Sequence, residues 1–314
     1  MENVEKSKKR AEMHGEIFNY EGWKYIATEL EGKLPIKIKA LPEGSIVAPK
    51  TVMMTVENTD PKCYWLTTHL ETMLLRAIWF PTTVASISYK IKGLILEYLE
   101  KNGTPEAIDF KLHDFGGRGA HCFESACIGG LAHLTNFMGT DTFSALEFAE
   151  QYYGMREDEM FGYSVPATEH SISTSWGRDK EMEYVKNAGI KSIENGKKIF
   201  SVVADTYNVY AFVDKLGTDL KDWIIDYIGG NGAKLVVRPD SGDPTVVPIE
   251  IIQKLMDHFG YTVNSKGYKV LPPYLGVLQG DGIDYNTIEI ILEKMDALGI
   301  SSDNIVFGMG GRTL

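Results

Sequence analysis

Apolar residues follow a changing rhythm along this chain. From about residue 16 to 60, short apolar runs alternate with turn residues, as in LPIKIKALPEGSIVAP and TVMMTVENTD, which predicts paired strands of a small lobe. Between 61 and 102 the period lengthens. Leu70, Met73, Leu74 and Ile78, then Ile91, Leu94, Ile95 and Tyr98, recur at three and four, predicting two helices. Beyond Gly103, short strand-like runs end in polar and glycine residues, and each is followed by a longer helix-like segment. The runs are DFKLHDFG (109–116), LTNFMGTD (134–141), FSVVADTY (200–207), AKLVVRPDSG (233–242), GVLQGDG (276–282) and NIVFGMGG (304–311). Several are continuously apolar, as parallel strands buried on both faces require, so the expected class is α/β. The pattern divides the chain into a strand-rich lobe with connecting helices at 1–102 and a βα-repeating domain at 103–314.

Composition narrows the classes of function. With 314 residues, 44% of them apolar, the chain has enough core for a large barrel and a smaller lobe. A net charge of −11 opposes nonspecific attraction to nucleic acid or anionic lipid, so an anionic small ligand needs local arginines. The opening MENVEKSKKRAEMHGE lacks the apolar stretch of a secretory signal, and no run approaches the roughly 20 apolar residues that span a bilayer. Cys63, Cys122 and Cys127 form neither a CxxC pair nor an even framework. A cytoplasmic protein with no membrane or nucleic-acid partner is expected. The run KSKKR (6–10) reads as a solvated face.

Candidate chemistry collects where the apolar runs end: Asp114 and Arg118, Asp141, Asp205, Arg238 and Asp240, Asp281, Gly310 and Gly311. In a parallel barrel all these ends open on one mouth. Each Asp has a plainer reading as the cap of the next helix. Arg238-Pro239-Asp240-Ser241-Gly242-Asp243-Pro244 joins a guanidinium suited to phosphate with a carboxylate suited to sugar hydroxyls or Mg²⁺, or else forms an ion pair that ties down a loop. The glycines at 280, 282, 308, 310 and 311 let the backbone approach a phosphate. His170 lies in a polar stretch after Pro166, placed either for proton or phosphoryl chemistry or as an ordinary loop residue. Cys122 and Cys127 lack zinc spacing, so no protein-held metal is expected. Trp65, Met73, Trp79 and Phe80 read as core or subunit interface rather than as a ligand pocket.

Several stretches together carry a resemblance: HDFGGRG (113–119), GTDT (139–142), GYSVPATEHS (162–171), VVADTYNVY (202–210), VVRPDSGDP (236–244), NSKGYKVLPPYLGVLQGDGID (264–284), FGMGG (307–311) and TVENTDPKCYWL (55–66). In these the chain resembles the nicotinamide phosphoribosyltransferases, of the type II phosphoribosyltransferase family. The resemblance implies an irregular α/β barrel with a partial strand-rich second lobe, acting as a homodimer. It also implies condensation of nicotinamide with phosphoribosyl pyrophosphate to nicotinamide mononucleotide and pyrophosphate, in NAD salvage, with Mg²⁺ and with ATP as an activating co-substrate.

By the same resemblance Phe115 stacks on the pyridine ring and Asp141 reads the carboxamide N–H₂, which disfavours nicotinate. Arg118, His170 and Arg238 hold pyrophosphate. Asp240, Gly280, Asp281 and Gly311 surround the ribose phosphate. His170 is the residue that ATP phosphorylates, and Asp205 stabilises the oxocarbenium-like ribose. Set against the family pattern, the chain begins inside the strand-rich lobe and stops at GGRTL, with Arg312 where a glycine is expected. It is therefore read as cut short at both ends. His121-Cys122-Phe123 replaces small hydroxyl residues and is expected to reshape the pyrophosphate side. The alternatives are a nicotinate phosphoribosyltransferase and a catalytically impaired or partner-dependent nucleotide-binding fragment.

Overall fold

The computed structural model describes residues 1–311, so Arg312 lies outside the described residues. It divides into two compact units, 1–80 and 81–314, rather than after residue 102.

In the first unit, α1 (Glu2–His14) buries none of its side chains, so its lysines form a solvated face as expected. The strand-like reading of residues 16 to 60 holds only in part, because α2 (Tyr20–Thr28) lies within it. The Asn19 side chain caps this helix by accepting the Gly22 amide at 3.1 Å. Trp23 and Ile26 then face a small core of Cys63, Leu66 and Leu70. The predicted hairpin follows as β1 (Ile36–Ala40) paired antiparallel with β2 (Met54–Asn58).

The two predicted helices are one, α3 (Leu66–Asn102), with Pro81 inside it. Proline removes its own N–H from the ladder and crowds the carbonyl one turn back, yet the apolar period on either side carries the helix through. Met73 and Trp79 are exposed, which corrects their reading as core within this chain. Trp65 packs edge-on against Trp23.

The second unit is built around parallel strands. Every predicted run supplies one: β3 (Leu112–Asp114), β4 (Gly139–Thr140), β5 (Ile199–Val203), β6 (Lys234–Arg238), β9 (Leu275–Gln279) and β10 (Ile305–Met309), in the order β4-β3-β10-β9-β6-β5. An antiparallel pair, β7 (Thr262–Val263) and β8 (Lys269–Val270), stands apart from this sheet. Helices cover its outer face: α4 (Phe123–Leu134), α5 (Ser144–Tyr153), α6 (His170–Trp176), α7 (Glu181–Glu194), α8 (Val209–Thr218), the short α9 (Lys221–Trp223), α10 (Val247–Phe259) and α11 (Tyr285–Ala297). Phe200, Val202, Leu235, Val237, Val277 and Phe307 join these helices in one core. The expected α/β class is observed, and the six parallel strands form a curled half-barrel sheet consistent with the irregular barrel expected of the type II phosphoribosyltransferase kind.

The segment from Tyr163 to Thr168 completes the ring. On one side Thr140 N–H donates to Tyr163 O (2.9 Å) and Tyr163 N–H to Met138 O (2.8 Å). On the other, Ser201 N–H donates to Pro166 O (2.8 Å) and Thr168 N–H to Ser201 O (3.1 Å). Parallel bridges Gly139–Tyr163 and Ala167–Ser201 mark the same contacts. Both edge strands are thereby paired, which leaves no exposed edge at β4 or β5.

At the opposite end from the strand termini, buried Lys111 closes the floor. Its ammonium donates to the carbonyls of Ser302 (2.9 Å), Asp303 (3.2 Å) and Ile305 (2.9 Å). Burial pushes its pKa down to about 8, with Asp303 opposing the shift and Lys234 adding to it. The unfolded chain holds this proton more tightly, so between about pH 8 and 10 unfolding takes up a proton and stability rises with pH. Below pH 8 both states are protonated and the dependence vanishes. Urea unfolding of wild type and Lys111→Met at pH 7, 8.5 and 9.5 is expected to show wild type gaining on the variant by about 2 kcal/mol between the first and the last. A pH-independent difference would contradict this account.

Candidate active site

The chain turns at the ends of the parallel strands bring the run-end residues to one mouth. After the closing segment, His170 opens α6 with its Nε2 3.4 Å from Asp240 Oδ2 and 3.7 Å from Asp205 Oδ1. Its Nδ1 lies 3.3 Å from Thr206 Oγ1. Arg238, at the end of β6, donates through Nη2 to the Thr168 carbonyl at 3.1 Å, and the same nitrogen is 3.9 Å from Asp240 Oδ2. Residues from the closing segment and the ends of β5 and β6 thus form one cluster of His170, Asp205, Arg238 and Asp240.

Two polar atoms in this cluster are buried without a hydrogen-bond partner: Arg238 Nε and Asp205 Oδ1. Such atoms are costly in a folded chain and are a mark of a site completed by a ligand. The alternative of helix capping fails for Asp205 and Asp281. Asn208 caps α8 by accepting the Ala211 amide, and Asp284 caps α11 by accepting that of Thr287. Asp205 and Asp281, three residues earlier in each case, are left to the mouth. Asp243 holds its own loop instead: its carboxylate accepts the Thr245 N–H and O–H, which keep its pKa below the usual carboxylate range.

Phe115 occupies the mouth from the β3 side. Its amide donates to Met309 O at 2.9 Å, and its ring lies over Gly280 and Gly308. A Cβ on Gly308 would run into the ring, and one on Gly280 would sit 3.2 Å from the ring and 3.5 Å from Asp240 Oδ1. The sequence reading gave Gly308 to phosphate approach; the structure shows instead that its bare backbone makes room for Phe115. Asp114, the residue before it, is fully buried and accepts the Gly116 amide (2.7 Å) and the Thr140 hydroxyl (3.3 Å). Asp114 therefore shapes the turn that carries Phe115.

Other predicted residues stand around this centre. Asp141 is exposed and accepts the Ser164 hydroxyl at 2.5 Å. Buried His113 feels its charge, although burial dominates and lowers the imidazole pKa. Arg118 is 85% exposed and reaches Glu169 at 3.5 Å, so it marks the rim rather than the interior. Asp281 is exposed after β9, its carbonyl accepting from Gln279 Nε2 at 2.8 Å. The backbone of Gly311 approaches Gly119. Cys122 begins α4 and exchanges hydrogen bonds with Ser125, while Phe123 is exposed against Phe148, so this departure lies on a helix start.

Ser164, Thr168, Thr206 and Gln279 went unmarked in the sequence. The faint signal for the first two was alternation through Tyr163-Ser164-Val165-Pro166-Ala167-Thr168, masked by Pro166 and by the polar residues around it.

The nicotinate phosphoribosyltransferase (NAPRTase) family pattern matches residues 110–314. Among curated relatives, the chain is 44% identical to a nicotinamide phosphoribosyltransferase of Xanthomonas campestris pv. campestris, over 99% of this chain and 65% of the relative. It is 37% identical to one of Acinetobacter baylyi, over 90% of this chain and 58% of the relative. With one of Mycoplasma pneumoniae it shares 33% identity, over 90% and 62%. The chain thus spans less than two thirds of the length of these relatives.

The packing of Phe115 on Gly308 generates a direct test. Gly308→Ala is expected to destabilise the fold by about 1–3 kcal/mol through overpacking. The same substitution in a Phe115→Ala background is expected to cost much less, because the clash is gone. Equal costs in the two backgrounds, measured by urea unfolding as a double-mutant cycle, would refute the contact.

Proposed function

The chain belongs to the nicotinate phosphoribosyltransferase family, and on that premise we propose that it joins nicotinamide to phosphoribosyl pyrophosphate, forming nicotinamide mononucleotide and releasing pyrophosphate in NAD salvage. The observation that carries this reading is the cluster at the mouth, where His170, Asp205, Arg238 and Asp240 meet and Arg238 Nε and Asp205 Oδ1 lie buried without a hydrogen bond. A diphosphate ester of ribose supplies partners to both kinds of group: anionic oxygens to the guanidinium and hydroxyls to the carboxylate.

In this reading the pyridine nitrogen attacks ribose C1′ as the bond to pyrophosphate breaks. The transition state carries positive charge on the ribose and growing negative charge on the leaving group. Asp205 and Asp240 stabilise the first; Arg238, Arg118 and His170 take up the second. Gly280, Asp281 and Gly311 flank the ribose phosphate. Phe115 presents its ring to the pyridine, and Asp141 accepts the carboxamide N–H. The Ser164 hydroxyl occupies one oxygen of Asp141, which orients the other toward the base.

Among the described residues no group of three or more His, Cys, Asp or Glu side chains is arranged to hold a metal. In this reading Mg²⁺ arrives with the diphosphate and keeps its waters, and Asp205 and Asp240 are the carboxylates that would hold it. Bound there, it would neutralise charge on the leaving group. In this reading His170 accepts a phosphoryl group from ATP, with release of ADP, and its 41% exposure at the mouth is in keeping with that.

We read the working unit as a cytoplasmic homodimer. The exposed Met73 and Leu75 of α3 and the free thiols of Cys63, Cys122 and Cys127 are in keeping with that. No helix among the described residues is long and apolar enough to cross a membrane.

Asp141 separates this reading from a nicotinate enzyme, because a carboxylate repels nicotinate and accepts from the amide. The test is mononucleotide formation by the purified chain from either base with phosphoribosyl pyrophosphate and Mg²⁺, with and without ATP. Nicotinamide is expected to be preferred, and Asp141→Asn to lower kcat/KM for it by about 10- to 100-fold, the loss of one charge-assisted hydrogen bond. A preference for nicotinate, or no product from a folded chain, would overturn the proposal.

A further inference from the structure

The closing segment does more than seal the barrel, and its last residue bonds in three directions. The Thr168 N–H donates to Ser201 O at 3.1 Å, continuing the backbone ladder with β5. Its hydroxyl then accepts the Val203 N–H at 2.9 Å, one step further along the strand. Its carbonyl accepts from Arg238 Nη2 at 3.1 Å. The backbone leaves the sheet here to enter α6 at His170, so no main-chain carbonyl of the segment continues the ladder to Val203. A side-chain oxygen takes that place. Val203 is almost fully buried, and its amide would otherwise face the cost of an unmade hydrogen bond.

The consequence lies two residues away in each direction. Val203 precedes Ala204 and Asp205; Thr168 precedes Glu169 and His170. Fixing Val203 to Thr168 therefore fixes the spacing between Asp205 and His170, which stand 3.7 Å apart. The Thr168 carbonyl, held in the same geometry, sets the orientation of Arg238, whose side chain is only 11% exposed. At the other end of the same segment Ser164 holds Asp141. One end of the seam thus serves the base and the other the diphosphate.

We propose that Thr168 is a positioning residue for the diphosphate half of the site: its hydroxyl, by accepting the Val203 amide, holds His170, Asp205 and Arg238 in register. The proposal rests on the transferase reading above. It predicts a selective defect that a general loss of packing would not produce.

The experiment compares wild type, Thr168→Val, Thr168→Ala and Thr168→Ser in the full chain. Thr168→Val keeps the shape and removes the acceptor; Thr168→Ala removes it without placing a methyl in its stead; Thr168→Ser keeps it. Inorganic pyrophosphate binding is measured by calorimetry, and KM for each substrate by steady-state kinetics. Thr168→Val and Thr168→Ala are expected to weaken pyrophosphate binding and raise KM for phosphoribosyl pyrophosphate about tenfold, the equivalent of one hydrogen bond, with KM for nicotinamide within about twofold of wild type. Thr168→Ser is expected to bind as wild type does. Equal defects for both substrates, unchanged pyrophosphate binding in the folded variants, or a serine variant no better than alanine would overturn the proposal while leaving the transferase reading intact. A folded wild-type chain that neither binds pyrophosphate nor makes mononucleotide would overturn that reading, and this proposal with it.

Discussion

The pairing of one irregular segment, Tyr163–Thr168, with both edges of a parallel sheet is the constraint on which the second unit depends. Six short strands would otherwise form an open, curled sheet with unpaired groups on β4 and β5. The segment satisfies them from each side, and the ring then runs in chain order through β3, β4, the segment, β5, β6, β9 and β10 back to β3. Parallel order around a closed ring forces every C-terminal strand end to one rim. The concentration of chemistry at the mouth is a consequence of that closure.

Packing inside the ring then divides the interior by chemistry. At the floor a single buried ammonium satisfies three carbonyls, and burial is the main cause of its lowered pKa. At the mouth, Phe115 is seated on backbone because Gly308 and Gly280 have no side chains there. Around it the polar groups are only partly satisfied by the protein itself. A floor closed by the chain and a rim left incomplete make a site that opens at one end, toward the groups that would hold a sugar diphosphate and a pyridine ring.

Much of this was legible in the sequence. Parallel strands buried on both faces must be continuously apolar, so runs such as AKLVV and GVLQ announced themselves, and the polar residues that end them marked the rim. Less visible was whatever depends on a neighbour distant in sequence. The seam escaped because Pro166 and its polar neighbours look like a loop; its partners at Met138 and Ser201 are known only once the ring has formed. The reason for Gly308 escaped because it lies in the ring of Phe115, just past the end of another strand. Helix α2 was taken for strand because Trp23, Tyr25 and Ile26 suit either period, and α3 was read as two helices because its apolar positions fall in two sets, one ending at Ile78 and the next beginning at Ile91.

The closure itself is tested most directly by amide hydrogen exchange in the native chain. Thr140, Tyr163, Thr168, Ser201 and Val203 all donate within the seam, and their amides should exchange as slowly as those of Val236 and Val237 in the middle of β6. If these five exchange at the rate of an open loop while β6 stays protected, the ring is not closed in solution, and the account of how the mouth is assembled is wrong.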